Sequence, residues 1–538
     1  MIDSTFKKLK HFLSLKVVTL TILFVTISAR IIQLIYLFNI RSDRSYQMLA
    51  TQNFVSSLGI SIANVLPRNL SEIIYEPLIK WPPGYSLLLS PLYWLFHHQY
   101  IIAGLALDII FSIFMIFITR SILKNLNIPV YVINIYTLFT GFIIYSFYTK
   151  PSSDAIAITF FLFSVNMAIQ IVKKNKPLSY KLAGLIISLL MCATTKYLYM
   201  PIVFIIPLIF IIKGATDNNA AIKKAGIISL IALIITIGIV LIYQKTIGGS
   251  AVYITQPKRG FFIQNLYSLY PIVPASLINP ETAGLLFGQD FYPGTYIYHV
   301  YQLIYFIITF LILLFVVRSF YRKKRRTLHP LSTFYLLTFL ITSAILFTLI
   351  LLSVLIEKED GYWTYVQEAR YYGLPIILLQ LLVFILPKHL SSYFKIIFLF
   401  ALLLMLPDML RGISFATKRI SNFNKEKTSW QVELSLQQYA DTIIKREQNV
   451  NEIYTTVLAG SSSYINNRIC LFSHIPMIKD VIEINKFSSL NTKKPVLLLV
   501  VLRDDALKDF QPFLSLNEKK YAGKFAGFHF YTAYVTPH

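Results

Sequence analysis

The sequence predicts an α-helical polytopic membrane protein with about eleven transmembrane helices, an interfacial helix in its first outer loop and a small extracytoplasmic α/β domain at its carboxyl end. Two observations support this fold class. Of the 538 residues, 56% are hydrophobic and only 14% are charged, and the mean hydropathy is +0.61. Soluble domains carry roughly a quarter charged residues. Apolar stretches long enough to cross a hydrocarbon core about 30 Å thick also recur along the first 410 residues.

These stretches predict the individual spans, and residues 1–410 are therefore expected to form a transmembrane domain. The spans lie at 17–39, 101–119, 130–148, 155–172, 182–197, 199–212, 225–243, 300–317, 331–355, 372–387 and 393–409. Residues 411–538 change in composition. They contain an amphipathic helix at Trp430–Gln448 and strands at Ile453–Leu458 and Pro495–Leu502, which predicts the α/β domain.

The basic residues set the predicted orientation. The net charge is +25, and Lys and Arg cluster beside alternate spans while the loop acids gather on the other side. We therefore expect a cytoplasmic amino terminus and large outer loops at 40–100 and 244–299. No basic face is interleaved with stacking aromatics, so we expect membrane lipids and no nucleic acid as partners. The absence of endoplasmic-reticulum retention signals favours a bacterial inner (plasma) membrane.

The apolar segment Gly84–Phe96 is predicted not to cross the membrane. It has 13 residues and contains Pro91, whereas a helical span needs about 20 residues. A crossing here would also place the basic run Arg318–Arg326 on the outer side. We expect an interfacial helix with Tyr93 and Trp94 at the level of the lipid headgroups.

Asp43 is the first acid after the first span, and the segment that follows it predicts a short helix ending near Gly59. A carboxylate at the membrane surface beside a water-filled cavity is suited to act as a general base or a metal ligand. The alternative is a solvated acid paired with Arg41 or Arg44.

Lys80 precedes the sequence Trp81-Pro82-Pro83-Gly84-Tyr85. The two prolines fix the backbone at the start of the interfacial helix, and this holds Lys80 near the phosphate layer. Lys80 then contacts either lipid headgroups or a phosphate substrate.

Several outer-face motifs occur in a characteristic order. They are Asp43 with Tyr46-x-x-x-Ala50, Pro82-Pro83-Gly84-Tyr85 with the following LLLSPLYWLF, Lys150–Asp154, Thr195-Lys196, and Glu368–Pro375. In this order and on this side, the motifs resemble the GT-C glycosyltransferases. Specifically, they resemble family 39, which includes protein O-mannosyltransferases and the aminoarabinose transferase of lipid A. The resemblance covers nearly the whole chain.

The resemblance implies a membrane glycosyltransferase that moves a sugar from a polyprenyl-phosphate donor to an extracytoplasmic acceptor with inversion. It implies Asp43 as the base, and Arg370, Lys80 and Lys196 as ligands of the donor phosphate. It places Tyr46, Tyr85 and Tyr371 in the donor-binding loops. Some relatives have the basic residue directly before the two prolines, whereas Trp81 intervenes here. The residues agree with this chemistry, because no Gly-rich nucleotide loop is present and a guanidinium matches the geometry of a phosphate.

Asp154 matches a second outer acid of the family, which can help to hold a metal ion. From the sequence alone it is equally placed to cap a helix that begins at Ala155. His299 is a weak metal candidate near an outer boundary. No His and Asp cluster has metal-ligand spacing, so the sequence leaves the metal unknown and a divalent cofactor open.

Arg30 and Asp108 lie inside the first and second predicted spans. Charged groups at such depth are costly and usually pair or line a cavity. We predict a structural pair between the two helices, with a role in a substrate pathway as the alternative.

Two other functions compete with the transferase. A secondary transporter or flippase for a lipid-linked sugar commonly shows repeated halves, and no duplication is evident. An oligosaccharide ligase would favour an outer loop dense in arginine, whereas the 244–299 loop contains only Lys245, Lys258 and Arg259. Neither the sugar nor the acceptor (glycolipid, glycan or protein) can be read from the sequence.

Overall fold

The architecture comes from a computed structural model of the chain. It describes residues 2–38, 42–144, 153–174, 179–249, 278–286, 338–345, 369–385, 392–422, 427–448, 454–459, 475–478, 491–504, 519–525 and 527–537, with the single positions 40, 303, 307, 334, 335, 348, 349 and 507.

Helices dominate the described residues. They are α1 (Ile2–Ser14), α2 (Lys16–Leu37), α3 (Ser42–Val55), α4 (Gly84–Leu95), α5 (Tyr100–Asn125), α6 (Val130–Phe142), α7 (Ser153–Lys174), α8 (Ser179–Thr195), α9 (Ile205–Thr216), α10 (Ala220–Gly248), α11 (Pro280–Leu286), α12 (Gly373–Ile385), α13 (Ser392–Ser421) and α14 (Ser429–Gln448). Short 3-10 turns lie at Tyr197–Tyr199, Ile202–Phe204 and Ala369–Tyr372.

Seven strands among the described residues form one mixed sheet. They are β1 (Ser61–Leu66), β2 (Asn69–Pro77), β3 (Tyr454–Ala459), β4 (Met477–Ile478), β5 (Val496–Arg503), β6 (Lys519–Phe525) and β7 (Phe528–Val535). The order across the sheet is β2-β1-β4-β3-β5-β7-β6. β3 runs parallel to both β4 and β5, whereas β1–β2 and β6–β7 are antiparallel pairs.

Five stretches among the described residues are long and apolar enough to cross a membrane. They are Lys16–Leu37, Tyr100–Asn125, Ser153–Lys174, Tyr197–Thr216 and Ala220–Gly248. Three shorter apolar helices, α6, α8 and α12, lie at further predicted spans. The number eleven stays a prediction, since the span at 300–317 and much of that at 331–355 lie outside the described residues.

The chain divides into two compact units. The helical unit comprises residues 1–34, 108–240 and 254–422, and the mixed unit comprises residues 35–107, 241–253 and 423–538. Residues 40–100, the predicted first outer loop, fall in the same unit as the tail, and the predicted division at residue 410 stays a prediction. Helix α13 also continues to Ser421, well past the predicted end of the last span.

Within the helical unit, α6 stops at Phe142 although its sequence remains apolar beyond that point. Ile143 is extended, with φ −62° and ψ 128°. The Arg30 guanidinium donates to the carbonyls of Thr140 and Ile143, and Gln33 Nε2 donates to the Phe142 carbonyl at 3.0 Å. These side chains satisfy carbonyls that a helix leaves open at its end. Over the described part of the predicted span 130–148, the helix therefore ends at Phe142.

Gly412 on α13 packs against the same helix end. A Cβ at this position would lie 1.7 Å from the Phe142 carbonyl oxygen. Only glycine permits this approach of two backbones, so the close contact between α6 and α13 depends on it.

In the mixed unit, the predicted first outer loop supplies two strands, β1 and β2, to the sheet of the tail. β1 pairs with β4 through Asn64–Met477 and Val65–Ile478. Val65 and Leu70 pack with Val496, Leu498 and other β5 side chains on one face of the sheet. The predicted tail helix and the two predicted tail strands are confirmed as α14, β3 and β5, whereas the β1–β2 hairpin was not predicted from the sequence.

Candidate active site

The best-defined charged cluster of the helical unit, here called the ion-pair cluster, consists of Asp154, Lys196 and Tyr371. The Lys196 Nζ lies 3.1 Å from Asp154 Oδ1 and 3.2 Å from Oδ2. The lysine side chain is 10% exposed and the aspartate side chain 2%. The ammonium also lies 5.7 Å from the centroid of the Tyr371 ring, within the range of a cation–π interaction.

The residues of the ion-pair cluster come from the ends of three helices. Asp154 lies in the first turn of α7, where the helix dipole favours a carboxylate. Lys196 follows the last residue of α8 and is extended, with φ −147° and ψ 121°. Tyr371 belongs to the 3-10 turn Ala369–Tyr372, which leads into α12. All three segments are ends of apolar helices, so the charges gather at the boundary of the helical core.

The predicted roles of Asp154, as a helix cap or as a metal ligand, both stay predictions. Helix α7 begins at Ser153 rather than Ala155, so Asp154 lies inside the first turn and its carboxylate engages Lys196. Buried charges are tolerated when they are paired and hydrogen-bonded, which accounts for the nearly complete burial of this carboxylate.

Arg370 is the residue before Tyr371, and its backbone belongs to the same 3-10 turn. Its side chain lies outside the described residues, as does His299. The predicted phosphate role of Arg370 therefore stays a prediction, with its backbone placed next to the ion-pair cluster.

A second group of predicted residues, here called the Trp81 cluster, lies in the mixed unit. Tyr46 of α3 stacks on Trp81, with ring centroids 5.1 Å apart and an interplanar angle of 25°. The Lys80 Nζ lies 5.0 Å from the centroid of the Trp81 ring. Trp81 itself is buried, whereas Lys80 is exposed. The Trp81 indole therefore contacts both Tyr46, a predicted residue of the donor-binding loops, and Lys80, a predicted ligand of the donor phosphate.

Hydrogen bonds join α3 to α4, which follows the two prolines. The Ser86 hydroxyl donates to the Gln47 carbonyl at 2.8 Å, and the Thr51 hydroxyl approaches the Ser86 carbonyl at 3.4 Å. Pro83 precedes α4 directly, and Tyr85 in its first turn is fully buried. The predicted helix from Gly84 is confirmed; its position at the membrane interface stays a prediction.

Asp43 lies in the first turn of α3 and is partly buried. The predicted helix after the first span is confirmed, with Gly59 at φ +74° beyond its end. The neighbouring Arg44 is buried, with its guanidinium carbon 4.9 Å from the centroid of the Phe38 ring. Asp43 and Arg370 belong to different units, and their predicted convergence stays a prediction.

The predicted intramembrane pair also stays a prediction. Arg30 and Asp108 are both 1% exposed and both belong to the helical unit. The described bonds of Arg30 run to Gln33 and to the end of α6. Sequence reasoning missed these bonds from Arg30 to the end of α6.

A buried polar group around Asn279 was also missed. Its backbone N–H donates to Asp408 Oδ2 at 2.7 Å, and its side chain donates to the Ile144 carbonyl at 2.8 Å. Arg411 donates to the Thr282 hydroxyl at 3.1 Å. The signal in the sequence was Asp408 near the end of the predicted span 393–409, since an acid at such a depth requires a donor. Among the described residues, no three His, Cys, Asp or Glu side chains gather as metal ligands would.

The chain resembles ArnT and AglB. ArnT from Cupriavidus metallidurans in the apo state gives a TM-score of 0.47 at 11% identity, over 95% of this chain and 97% of that one. ArnT bound to undecaprenyl phosphate gives 0.45 at 10% identity, over 96% of each chain. The archaeal oligosaccharyltransferase AglB from Archaeoglobus fulgidus, in complex with an inhibitory peptide and a dolichol-phosphate, gives 0.43 at 12% identity, over 90% of this chain and 69% of that one.

Both neighbours belong to the GT-C superfamily, which is the superfamily that the outer-face motifs resemble. With TM-scores below 0.5, this likeness assigns no role to any side chain of the present chain. No protein-family model and no curated protein matches the sequence.

Proposed function

We propose that the protein is an inverting membrane glycosyltransferase that moves a sugar from a polyprenyl-phosphate donor to an extracytoplasmic acceptor. The observation that supports this most directly is the buried Lys196 ammonium, held at the end of an apolar helix beside the turn that contains Arg370. Cations at the boundary of an apolar bundle suit a substrate that is a phosphate at one end and a long hydrocarbon at the other.

In the proposed reaction, the acceptor oxygen attacks the anomeric carbon of the donor while the bond from that carbon to the phosphate oxygen breaks. The acceptor proton passes to the Asp43 carboxylate. The electron pair of the broken bond leaves with the polyprenyl phosphate, whose growing charge is stabilised by Lys196 and Arg370, with Lys80 as a further candidate. Preorganised cations in a site with little water act strongly on such a developing charge. A single displacement inverts the anomeric centre.

The Trp81 cluster supports the proposed role of Asp43 in a different way. Because the Tyr46–Trp81 stack and the bond from Ser86 to Gln47 fix α3, the first turn of that helix is held in a defined place. A general base is effective only when it is positioned within hydrogen-bond reach of the proton that it accepts. The fixed helix therefore suits Asp43 to that task.

The test is a transfer assay with the purified full chain in lipid nanodiscs. A panel of undecaprenyl-phosphate sugars is offered together with glycolipid, glycan and peptide acceptors. We expect transfer from at least one donor, and we expect Asp43→Asn to lower kcat by about 100- to 10,000-fold. Glu72→Gln removes an exposed acid of the same outer loop and is the matched control, expected to retain activity.

Two outcomes would contradict the proposal. If the wild-type chain moves lipid-linked sugars between leaflets of a vesicle without forming a glycosidic product, the protein is a flippase. If transfer occurs and Asp43→Asn retains the full rate, Asp43 is not the base.

A further inference from the structure

We infer that Asp154 acts as a built-in competitor for the donor-phosphate site, and that it promotes release of the polyprenyl phosphate product more strongly than release of the donor. This rests on the proposed function, because it takes the ligand of Lys196 to be a polyprenyl phosphate. It assigns Asp154 a task that is neither a cap nor a metal ligand.

The geometry supplies the first step. A lysine ammonium has three N–H donors, and here both oxygens of the Asp154 carboxylate lie within 3.2 Å of Lys196 Nζ. The pair is nearly removed from solvent. A phosphate that binds Lys196 must therefore displace the carboxylate or share the ammonium with it, and in both cases two anions approach one cation.

The second step is the strength of the repulsion between the Asp154 carboxylate and the phosphate. Two unit charges of the same sign about 5 Å apart, at an effective dielectric constant of about 20, shift an equilibrium by roughly two orders of magnitude. Movement of the side chain and entry of water reduce this effect. We therefore expect the carboxylate to weaken phosphate binding by about 10- to 100-fold.

The third step is the charge of the two ligands. The donor is a phosphodiester with a single negative charge. Once the sugar has left, the polyprenyl phosphate is a monoester, which carries about −1.5 to −2 at pH 7 because its second pKa is about 6. A neighbouring carboxylate repels the monoester more than the diester, so transfer of the sugar itself raises the repulsion. Asp154 thereby favours dissociation of the polyprenyl phosphate after the sugar has been transferred.

The experiment measures binding to the full chain in nanodiscs with two probes. One is undecaprenyl phosphate, and the other is its methyl diester, which has one charge and cannot transfer a sugar. We expect Asp154→Asn to tighten binding of undecaprenyl phosphate 10-fold or more and binding of the diester by a smaller factor. We expect Lys196→Met to weaken both.

A matched control is available in the same helical unit. Lys213 and Asp217 form another Asp–Lys ion pair, 2.5 Å apart, in which the carboxylate is 49% exposed. Asp217→Asn is expected to change neither dissociation constant. Because Asp154→Asn leaves a buried ammonium without its counter-charge, Asp154→Ser is the second variant, since its small side chain leaves room for water.

The outcomes separate the two proposals. If the wild-type chain binds neither probe, the proposed function fails. If the wild type binds both and the Asp154 variants bind undecaprenyl phosphate equally or more weakly, the inference is overturned and the proposed function stands. Equal tightening of both probes would overturn the claim that Asp154 distinguishes product from donor.

Discussion

The core of the helical unit and the sheet edge of the mixed unit hold their charged side chains in different surroundings. In the helical unit, Arg30, Asp154, Lys196 and Asp408 are at least nine-tenths buried, and each has a described bond that crosses between helices or joins a helix to a loop. In the mixed unit, the pair between Asp504 and Lys524 at the sheet edge has side chains 60% and 47% exposed. Away from that edge, the apolar residues of β5, the strand between β3 and β7, are buried.

This difference reflects how the backbone hydrogen-bonding groups are satisfied in a helical core and in a sheet. In a membrane core, a helix that stops early leaves carbonyls that water does not reach, and buried side chains must satisfy them. A sheet satisfies its own backbone, so its interior needs only apolar packing. Buried polar groups of the helical unit are consequently costly to remove, whereas the exposed charges at the sheet edge contribute little.

The largest effect is expected from Arg30→Met. This change leaves the carbonyls of Thr140 and Ile143 without the guanidinium that now satisfies them. Each buried acceptor left unsatisfied costs about 1–3 kcal/mol, so we expect the free energy of unfolding to fall by about 2–6 kcal/mol for the two carbonyls. The midpoint of thermal unfolding in detergent micelles should fall with it. Lys418→Ala, which removes an exposed cation from α13, is the control and is expected to leave the midpoint unchanged.

A double variant sharpens this result and tests the predicted pair. If Arg30 and Asp108 are partners, Asp108→Leu alone should lower the midpoint more than Asp108→Leu combined with Arg30→Met, because the single change strands a buried charge. A double variant whose loss equals the sum of the two single losses would show that the residues act independently.

In the mixed unit, Leu499→Ala should have the next largest effect. Leu499 is fully buried in β5, an interior strand of the sheet. Truncation of such a side chain costs about 2–5 kcal/mol, which we expect to appear as faster hydrogen exchange throughout β3, β5 and β7. The same substitution at Leu58, which is 40% exposed, is the control. Exchange that stays unchanged in β5 would contradict the assigned core.

Elements with a continuous local pattern were the ones that the sequence predicted. Helices α7 and α14 and strand β5 were all expected close to their observed positions, because periodicity and length depend only on neighbours in the chain. The place of the β1–β2 hairpin in the tail sheet was missed because β1 pairs with β4, a strand about 400 residues later, and distant pairing leaves no local signal.

The early end of α6 was missed for a related reason. The residues after Phe142 stay apolar, and the carbonyls there are satisfied by Arg30 and Gln33 of another helix. At the candidate site, Asp154 and Lys196 were selected individually from the motifs. Their ion pair joins residues 42 positions apart, so it required the packing of α7 against α8.

The smallest expected effect is the pH dependence of the contacts that Asp504 makes with Lys524 and His529. Hydrogen bonds from Lys524 and then His529 hold the pKa of the Asp504 carboxyl below its usual value. Lys524 Nζ lies 2.7 Å and His529 Nε2 lies 2.6 Å from Asp504 Oδ1. A carboxyl whose pKa is lower in the folded state stabilises that state above its unfolded pKa of about 3.9, and this contribution is lost as the pH falls through the folded value.

The contribution of Asp504 should therefore be present at neutral pH and disappear only below about pH 4. The measurement compares hydrogen exchange of the β6–β7 hairpin in the wild-type chain and in Asp504→Asn at equal pH. Because the intrinsic exchange rate is the same for both proteins at one pH, any difference reports the contribution of Asp504. We expect slightly faster exchange in the variant at pH 6 and equal exchange once Asp504 is protonated. A difference that persists at the lowest pH would mean that the substitution acts on packing at the sheet edge. Since Asp504 is largely exposed, even the expected difference should stay small beside the losses at Arg30 and Leu499.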